Sequence, residues 1–338
     1  MKKRKLITLI YILLTIIVMV FIGVMDKNIK DLGRAFLKLD PLWVGGAFLC
    51  MILYWIADAF VLCYLTASMY QAKHRLHSLK VSLIGQYYSA VTPFASGGQP
   101  VQAYYMMQDG IPIGYASSIL TVKFLVYQVI LSFYCVIVMA LKFSSLITNY
   151  PQIIWLSILG FIINAGAILL IFLVMVNKAF VLKLAFKLIR TGHRLRLIKD
   201  LDKSWKALSG HLEDFHKSAG FVRKNLKEVA IAGFMTFLQL LFYFSITYFI
   251  YRAFDLSEKT VLDTISMQAV LYMTVSFFPT PGTSGASEGG FYIFFSMFFP
   301  KELLFVSMLI WRAVSYYSNI LVGGAVILLD SLLRFYQK

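Results

Sequence analysis

Charged side chains are scarce in this 338-residue chain. Asp, Glu, Lys and Arg together make up 14% of the residues, whereas an ordinary soluble domain carries about 25%. Hydrophobic residues make up 59%, and so few charged side chains cannot give a core of that size a polar coat. The composition therefore excludes a soluble globular protein and indicates an integral membrane protein.

Acidic residues and cysteines are scarcer still. The 16 Asp and Glu oppose 32 Lys and Arg, which leaves a net charge of +16. The positive-inside rule accounts for such a surplus through cytoplasmic loops, and no nucleic-acid-binding fingerprint occurs, so we expect no nucleic-acid partner. The three cysteines lie within apolar runs and are typical of buried hydrophobic side chains. The sequence has no metal-ligand cluster and no G-x-x-x-x-G-K phosphate loop, so we expect no metal and no cofactor.

Long apolar runs recur along the chain, each able to cross the ~30 Å of hydrocarbon in a bilayer. The first follows the basic start MKKRK and has no small-residue cleavage site after it, so it predicts a spanning helix and not a signal peptide. The pattern predicts an all-α polytopic membrane protein with six full spans, at about 6–25, 42–68, 113–141, 152–176, 229–251 and 303–329.

Loop charges indicate the orientation of these spans. Residues 71–80 hold three Lys or Arg and no acid, and residues 177–228 hold thirteen against five acids, whereas 252–263 has a net charge of −1. The positive-inside rule then places both termini in the cytoplasm. The basic segment 177–228 is predicted to form amphipathic helices on the anionic lipids of the inner leaflet, or else a solvated helical linker. The chain, 1–338, is expected to form a single membrane domain.

Two further apolar segments are broken near their centres. Residues 81–108 contain Pro93, Gly97, Gly98 and Pro100, and residues 264–299 contain the string PTPGTSGASEGG. Each half is too short to cross a bilayer, and irregular backbone is tolerated at membrane depth only where protein or a water-filled cavity satisfies its polar groups. We therefore predict two re-entrant helical hairpins. Surface loops between interfacial helices are the alternative.

The two breaks belong to an internal repeat. The pattern T-P-x-x-S-G-[GA] occurs at 92–98 and again 188 residues later at 280–286. Lys123 follows the first proline by 30 residues and Arg312 follows the second by 31, and each has a tyrosine four residues on, Tyr127 and Tyr316. With the orientation above, the repeat is inverted in the membrane. Inverted repeats with broken helices are an architecture of secondary transporters.

Lys123 and Arg312 each lie about nine or ten residues into a span, near the bilayer centre. A full charge there costs at least about 2.5–3.5 kcal/mol, so it is normally functional or paired. The pairs Asp58 with Lys123 and Glu288 with Arg312 would hold helices together. Alternatively, the two cations bind a phosphate headgroup, helped by N–H groups at the glycine turns and half-helix N-termini. Both interpretations hold if the pairs open when substrate arrives.

The chain resembles the lysylphosphatidylglycerol synthase transmembrane family in two regions, TPFASGGQPVQAYYM before the helix with Lys123 and FPTPGTSGASEGGF before the helix with Arg312. That family includes the flippase part of the multiple peptide resistance factor. The resemblance covers about residues 6–330. Matching positions are Pro93, Gly97, Gly98 and Gln99 in the first region, and Pro281, Gly282, Gly285, Glu288 and Arg312 in the second.

The resemblance implies a flippase of the bacterial plasma membrane for an anionic phospholipid, an aminoacylated one such as lysylphosphatidylglycerol, or a polyprenyl-linked lipid. We expect that two copies of the chain can form a homodimer. The predicted substrate-binding residues are Lys123, Arg312, Glu288, Asp58, Tyr127, Tyr316, Pro93, Ser96, Gly97, Gly98, Gln99, Pro281, Gly282, Ser284 and Gly285.

Two other functions stay open at this stage. One is a phosphatidylglycerol lysyltransferase that uses charged tRNA and confers resistance to cationic peptides. The resistance factor carries that chemistry in a soluble domain after its membrane part, whereas this chain ends at Lys338 just after its last span, so we expect a transporter without catalytic residues. The other is a membrane partner of a separate lipid synthase.

Overall fold

The computed structural model describes residues 32–70, 75–149, 224–276 and 278–336, with scattered residues between 158 and 222. Within these ranges the chain forms helices and turns and no strand. The predicted span 6–25, most of the span 152–176 and most of the basic segment 177–228 lie outside the described residues. In chain order the helices are α1 (Leu32–Leu37), α2 (Pro41–Tyr70), α3 (Arg75–Ala90), α4 (Gly98–Gln108), α5 (Ile113–Asn149), α6 (Leu226–Ala253), α7 (Val261–Val275), α8 (Ala286–Phe295), α9 (Lys301–Arg312) and α10 (Ser318–Tyr336).

Four helical stretches are long and apolar enough to cross a membrane: Pro41–Tyr70, Ile113–Val138, Leu226–Ala253 and Lys301–Arg334. They coincide with the predicted spans 42–68, 113–141, 229–251 and 303–329. The last stretch joins α9 to α10 through a π-helical turn, Ala313–Tyr317, which the sequence did not predict. The fold is all-helical and is that of a multi-pass membrane protein.

The broken segments form two helix–turn–helix hairpins. Helices α3 and α4 have 16 and 11 residues, and α7 and α8 have 15 and 10, all fewer than the ~20 needed to span. The first hairpin begins earlier than expected, at Arg75 inside the predicted loop 71–80, and Lys80 of this added helical part donates to Asp330 of α10 at 3.2 Å. The second begins where Thr260 and Asp263 cap each other's backbone N–H groups.

The two turns between the hairpin helices begin with the same backbone conformation and differ after it, since Ser96 is helical with ψ of −18° whereas Ser284 is extended with ψ of 142°. Phe94 and Gly282, at the same place in the repeat, have φ of 54° and 56°, and Ala95 and Thr283, which follow them, have 52° and 53°. In each turn the serine hydroxyl donates to the proline carbonyl three residues earlier, at 2.8 and 2.9 Å. The turns also contact each other. The sequence repeat is therefore a structural repeat, and its two breaks meet.

The long helices form the frame against which the hairpins pack. Helices α2 and α6 share the most extensive contact, and α10 lies along α3 of the first hairpin. Buried apolar side chains form one cluster around α2 and α6 to α9, and another around α2 to α5. Each hairpin is thus held against a frame helix over most of its length.

The contact between α10 and α3 depends on one glycine. A Cβ at Gly323 would lie 2.6 Å from the carbonyl oxygen of Leu83 and 2.7 Å from Cβ of Tyr87, whereas a Cβ at the neighbouring Gly324 would make only ordinary contact with the Tyr87 ring, at 3.5 Å. We expect Gly323→Ala to lower the free energy of unfolding by about 1–3 kcal/mol, since the helices must separate. Gly324→Ala should be neutral or stabilising, because alanine favours helix. Thermal unfolding in detergent measures both, and equal shifts would contradict this account of the contact.

Candidate functional site

Two adjoining cavities lie where the turns of the two hairpins meet. The larger has a volume of about 500 Å³ and includes Asp58, Lys123 and Gln239 in its lining. The smaller, about 170 Å³, includes Gly282, Arg312 and Asn319. We call the two together the central cleft, because six residues line both: Tyr54, Gln86, Ser89, Phe94, Ala95 and Tyr272.

Asp58 and Lys123 form an ion pair on one side of the cleft. The Lys123 ammonium lies 2.9 Å from the Asp58 carboxylate oxygens. Ser82 Oγ donates to Asp58 at 2.6 Å and Gln239 Nε2 donates at 3.0 Å. Asp58 is only 3% exposed, and its partners come from α3, α5 and α6, so this carboxylate joins four helices.

Glu288 and Arg312 form a second ion pair on the other side. Arg312 Nε donates to Glu288 Oε1 at 2.7 Å, and Nη2 lies 2.7 Å from the same oxygen. Arg312 also donates to the carbonyl of Gly282 at 3.1 Å, while Glu288 accepts the Gly285 backbone N–H at 2.7 Å. The guanidinium carbon lies 4.9 Å from the centre of the Tyr316 ring. Glu288 therefore connects the turn of the second hairpin, through Gly285, to the guanidinium of Arg312.

The two cations differ in how far they are covered. The side chain of Lys123 is 13% exposed and that of Arg312 is 4% exposed. Lys123 points into the larger cavity, whereas Arg312 lies between Glu288 and the aromatic rings of Trp311 and Tyr316. A ligand in the cleft would therefore meet Lys123 with less rearrangement.

Tyrosines fill the space between the two ion pairs. The hydroxyls of Tyr127 and Tyr272 are hydrogen-bonded at 2.6 Å. Tyr243 packs against Tyr54 and Tyr272, with ring centres 5.3 and 5.4 Å away. Of these four, sequence analysis singled out only Tyr127. The i, i+4 spacing of Tyr54 to Asp58, and of Gln239 to Tyr243, is the signal that could have found two of the others.

The π-helical turn links α9 to both repeats. Tyr316 Oη donates to the Ala90 carbonyl at the end of α3, at 3.2 Å. Asn319 donates to the Ser315 carbonyl at 2.8 Å and accepts from Trp55 Nε1 at 2.8 Å. Side chains of the turn and of Asn319 thus connect this part of the chain to α3 and to α2.

The predicted site residues fall into two groups. Those that line the central cleft are Asp58, Ser96, Gln99, Lys123, Tyr127, Gly282, Arg312 and Tyr316. The others shape the turns or support the lining: Pro93, Gly97, Gly98, Pro281, Ser284, Gly285 and Glu288. Gly97 donates its N–H to Thr92 Oγ1 at 2.9 Å, and Gly98 lies so close to Ser89 that a Cβ would come within 2.1 Å of its hydroxyl.

The fold and the cleft define a multi-pass membrane protein in which two broken hairpins enclose two buried ion pairs. The chain belongs to the family described as the lysylphosphatidylglycerol synthase TM region, whose family model matches residues 8–323. This confirms the resemblance found in the sequence. The chain is also similar to a UPF0104 membrane protein of Archaeoglobus fulgidus, with 23% identity over 296 residues that cover 82% of this chain and 83% of the relative.

Proposed function

We propose that this protein is a lipid flippase of the cell membrane that moves a phosphate-bearing headgroup through the central cleft while the lipid chains stay in the bilayer. The observation that carries the proposal is the placement of Lys123 and Arg312. The two cations lie at corresponding positions of a repeat and line one cleft. Cations buried at membrane depth mark substrate pathways when they face a cavity.

The chemistry of the cleft suits a phosphate group. A phosphate presents several acceptor oxygens, which can replace the carboxylates of Asp58 and Glu288 on the two cations. Uncharged donors stand nearby, among them Ser96 and Gln99 at the first turn, and Ser287 and Asn319 on the other side. Binding would then open one ion pair at a time and loosen the contact between helices that the pair holds.

The repeat supports alternating access. With the orientation that the positive-inside rule predicts, the first hairpin enters from the cytoplasm and the second from outside. The left-handed residues that the two turns share and the contact between the turns support two related half-gates. In such an inverted repeat, one half closes while the other opens around a site near the bilayer centre.

A lipid headgroup and a free phosphate ester share the chemistry that these side chains recognise. The family description favours the lipid, since it names a phospholipid. Anionic phospholipids, aminoacylated phospholipids and polyprenyl phosphates all carry the required group. A bacterial plasma membrane is the location that we propose for this activity.

Translocation in proteoliposomes tests the proposal. We expect the wild-type protein to expose inner-leaflet NBD-labelled phosphatidylglycerol to external dithionite. The neutral double variants Asp58→Asn/Lys123→Met and Glu288→Gln/Arg312→Met should each slow translocation by about tenfold or more, because a hydrogen bond to a charged group contributes about 1.5–3 kcal/mol. These variants remove each cation together with its acid, so neither leaves an unpaired buried charge.

Two controls make the result specific. Arg334→Met removes a cation whose side chain is 43% exposed and lies outside the cleft, so this variant should keep the wild-type rate. Uptake of radiolabelled glycerol 3-phosphate into the same vesicles tests the free ester. Wild-type rates in both double variants would contradict the proposed site, and uptake of the ester without lipid movement would contradict the lipid.

A further inference from the structure

We propose that Asp58 takes up a proton when a phosphate group binds Lys123, and that Glu288 does not, so that one proton accompanies each lipid. The inference rests on the proposed function and adds a coupled ion and a proton-carrying residue to it. It comes from a difference between the two ion pairs: the cations occupy corresponding places in the repeat, but Asp58 lies on the long helix α2 and Glu288 lies in the first turn of α8.

Asp58 has one charged partner and two uncharged ones. When Lys123 turns to a phosphate, the partners that remain for the Asp58 carboxylate among the described residues are the hydroxyl of Ser82 and the amide of Gln239. Both can bond a protonated carboxyl equally well, because a serine hydroxyl both donates and accepts and the Gln239 amide donates to the remaining carbonyl oxygen. The surroundings of Asp58 therefore accommodate either protonation state.

Glu288 uses both of its oxygens as acceptors. Its Oε2 accepts the Gly285 N–H immediately before α8, where the helix dipole favours negative charge. Its Oε1 accepts from Arg312, which also bonds to the Gly282 carbonyl of the same turn. A proton on either oxygen would compete with one of these two donors.

Charge balance in the cleft supplies the driving force. Before binding, Asp58 and Lys123 carry −1 and +1. A phosphodiester adds −1, which would leave a net negative charge at membrane depth. Uptake of one proton by the Asp58 carboxylate, which becomes a carboxyl, returns the sum to zero, and desolvation favours this neutral state. The proton is released when the phosphate leaves and Lys123 returns to Asp58.

No other charged group among the described lining residues of the larger cavity competes for this proton. From α5, Asp58 is faced by Lys123, and α3 and α6 contribute the uncharged Ser82 and Gln239. The remaining titratable groups of the cleft on this side are tyrosine hydroxyls on α2, α5, α6 and α7: Tyr54, Tyr127, Tyr243 and Tyr272.

Calorimetry on the purified full-length protein in detergent tests the inference, with dihexanoylphosphatidylglycerol as the probe. Its phosphodiester stays ionised across the range used. For the wild type we expect the affinity to rise as the pH falls from about 7.5 to about 5.5, by at most about tenfold per unit, which is the limit for linkage to one proton. Titrations in two buffers of different ionisation enthalpy should give uptake of about one proton per lipid bound.

Variants assign the proton to its residue. Asp58→Asn should bind with an affinity that does not follow pH, whereas Asp58→Glu should keep the dependence. If Asp58→Asn does not fold, infrared difference spectra of wild-type protein with ¹³C-labelled aspartate replace it. Addition of the lipid should then produce an isotope-shifted band of a protonated carboxyl. Binding that is independent of pH, or a shifted band with labelled glutamate only, would overturn this inference alone. Absence of lipid binding at every pH would overturn the proposed function as well.

Discussion

Arg312→Met is expected to lower the free energy of unfolding by about 3–5 kcal/mol, the range seen when one partner of a buried ion pair is removed. The reason is Glu288, which is 1% exposed and would be left buried without its cation. The Gly285 N–H is the other donor that the structure gives it, and one backbone donor does not replace a guanidinium. Reversible unfolding in mild detergent, followed by circular dichroism, measures the change.

Removal of the acid as well should restore most of this stability. In Glu288→Gln/Arg312→Met the amide oxygen of the new glutamine can still accept from Gly285, and methionine fills the volume between Trp311 and Tyr316 without a charge. Replacement of a whole buried pair by uncharged side chains is often neutral. A double variant no more stable than Arg312→Met would show that the pair acts through something other than its buried charges.

The first ion pair provides the matched comparison. Lys123→Met should cost less than Arg312→Met, because Lys123 is the more exposed cation and because Asp58 keeps Ser82 and Gln239 as donors. Comparison of the single and double variants at the two ion pairs separates the contribution of burial to the free energy of unfolding from the contribution of charge. Equal costs at the two sites would contradict the difference in environment on which the assignment of the proton to Asp58 also depends.

Scarcity of charge made the ion pairs predictable from the sequence. Few acids occur within the apolar segments, so Asp58 and Glu288 were the available partners for Lys123 and Arg312, and the structure forms both pairs. The four described spans were predictable from the length of their apolar runs, because a run of ~20 apolar residues has few structural roles other than crossing a membrane. These features are encoded locally, by residue type and by count.

The parts of the cleft that depend on tertiary contact could not be predicted. Tyrosine is common at membrane interfaces, so nothing in the sequence separated Tyr272, in the centre of the cleft, from tyrosines at helix ends. The π-helical turn at 313–317 is stabilised by Tyr316 and Asn319, whose partners Ala90 and Trp55 lie more than two hundred residues away. The positive φ that Phe94 shares with Gly282 was also hidden, because phenylalanine rarely adopts the conformation that glycine adopts readily.

Phe94 and Gly282 provide a direct test of what stabilises the turn of the second hairpin. Gly282 lies under the ring of Tyr316, where an added Cβ would come within 2.0 Å of a ring carbon. Gly282→Ala is expected to lower the free energy of unfolding by about 2–4 kcal/mol, from overpacking together with the cost of a left-handed conformation for alanine. Displacement of the Tyr316 ring would also break its hydrogen bond to Ala90, so lipid translocation should fall with stability.

Phe94→Ala is the matched control, because it puts alanine into the same backbone conformation in the other repeat. Phe94 is 62% exposed and already accepts a left-handed φ of 54°, so its replacement should change stability by less than about 1 kcal/mol. The variant Gly282→Ala/Tyr316→Ala should be more stable than the sum of its single changes predicts, since the clash is gone. If Gly282→Ala behaves like Phe94→Ala, the contact between Gly282 and Tyr316 does not hold the second turn, and the structural difference between the two half-gates lies elsewhere.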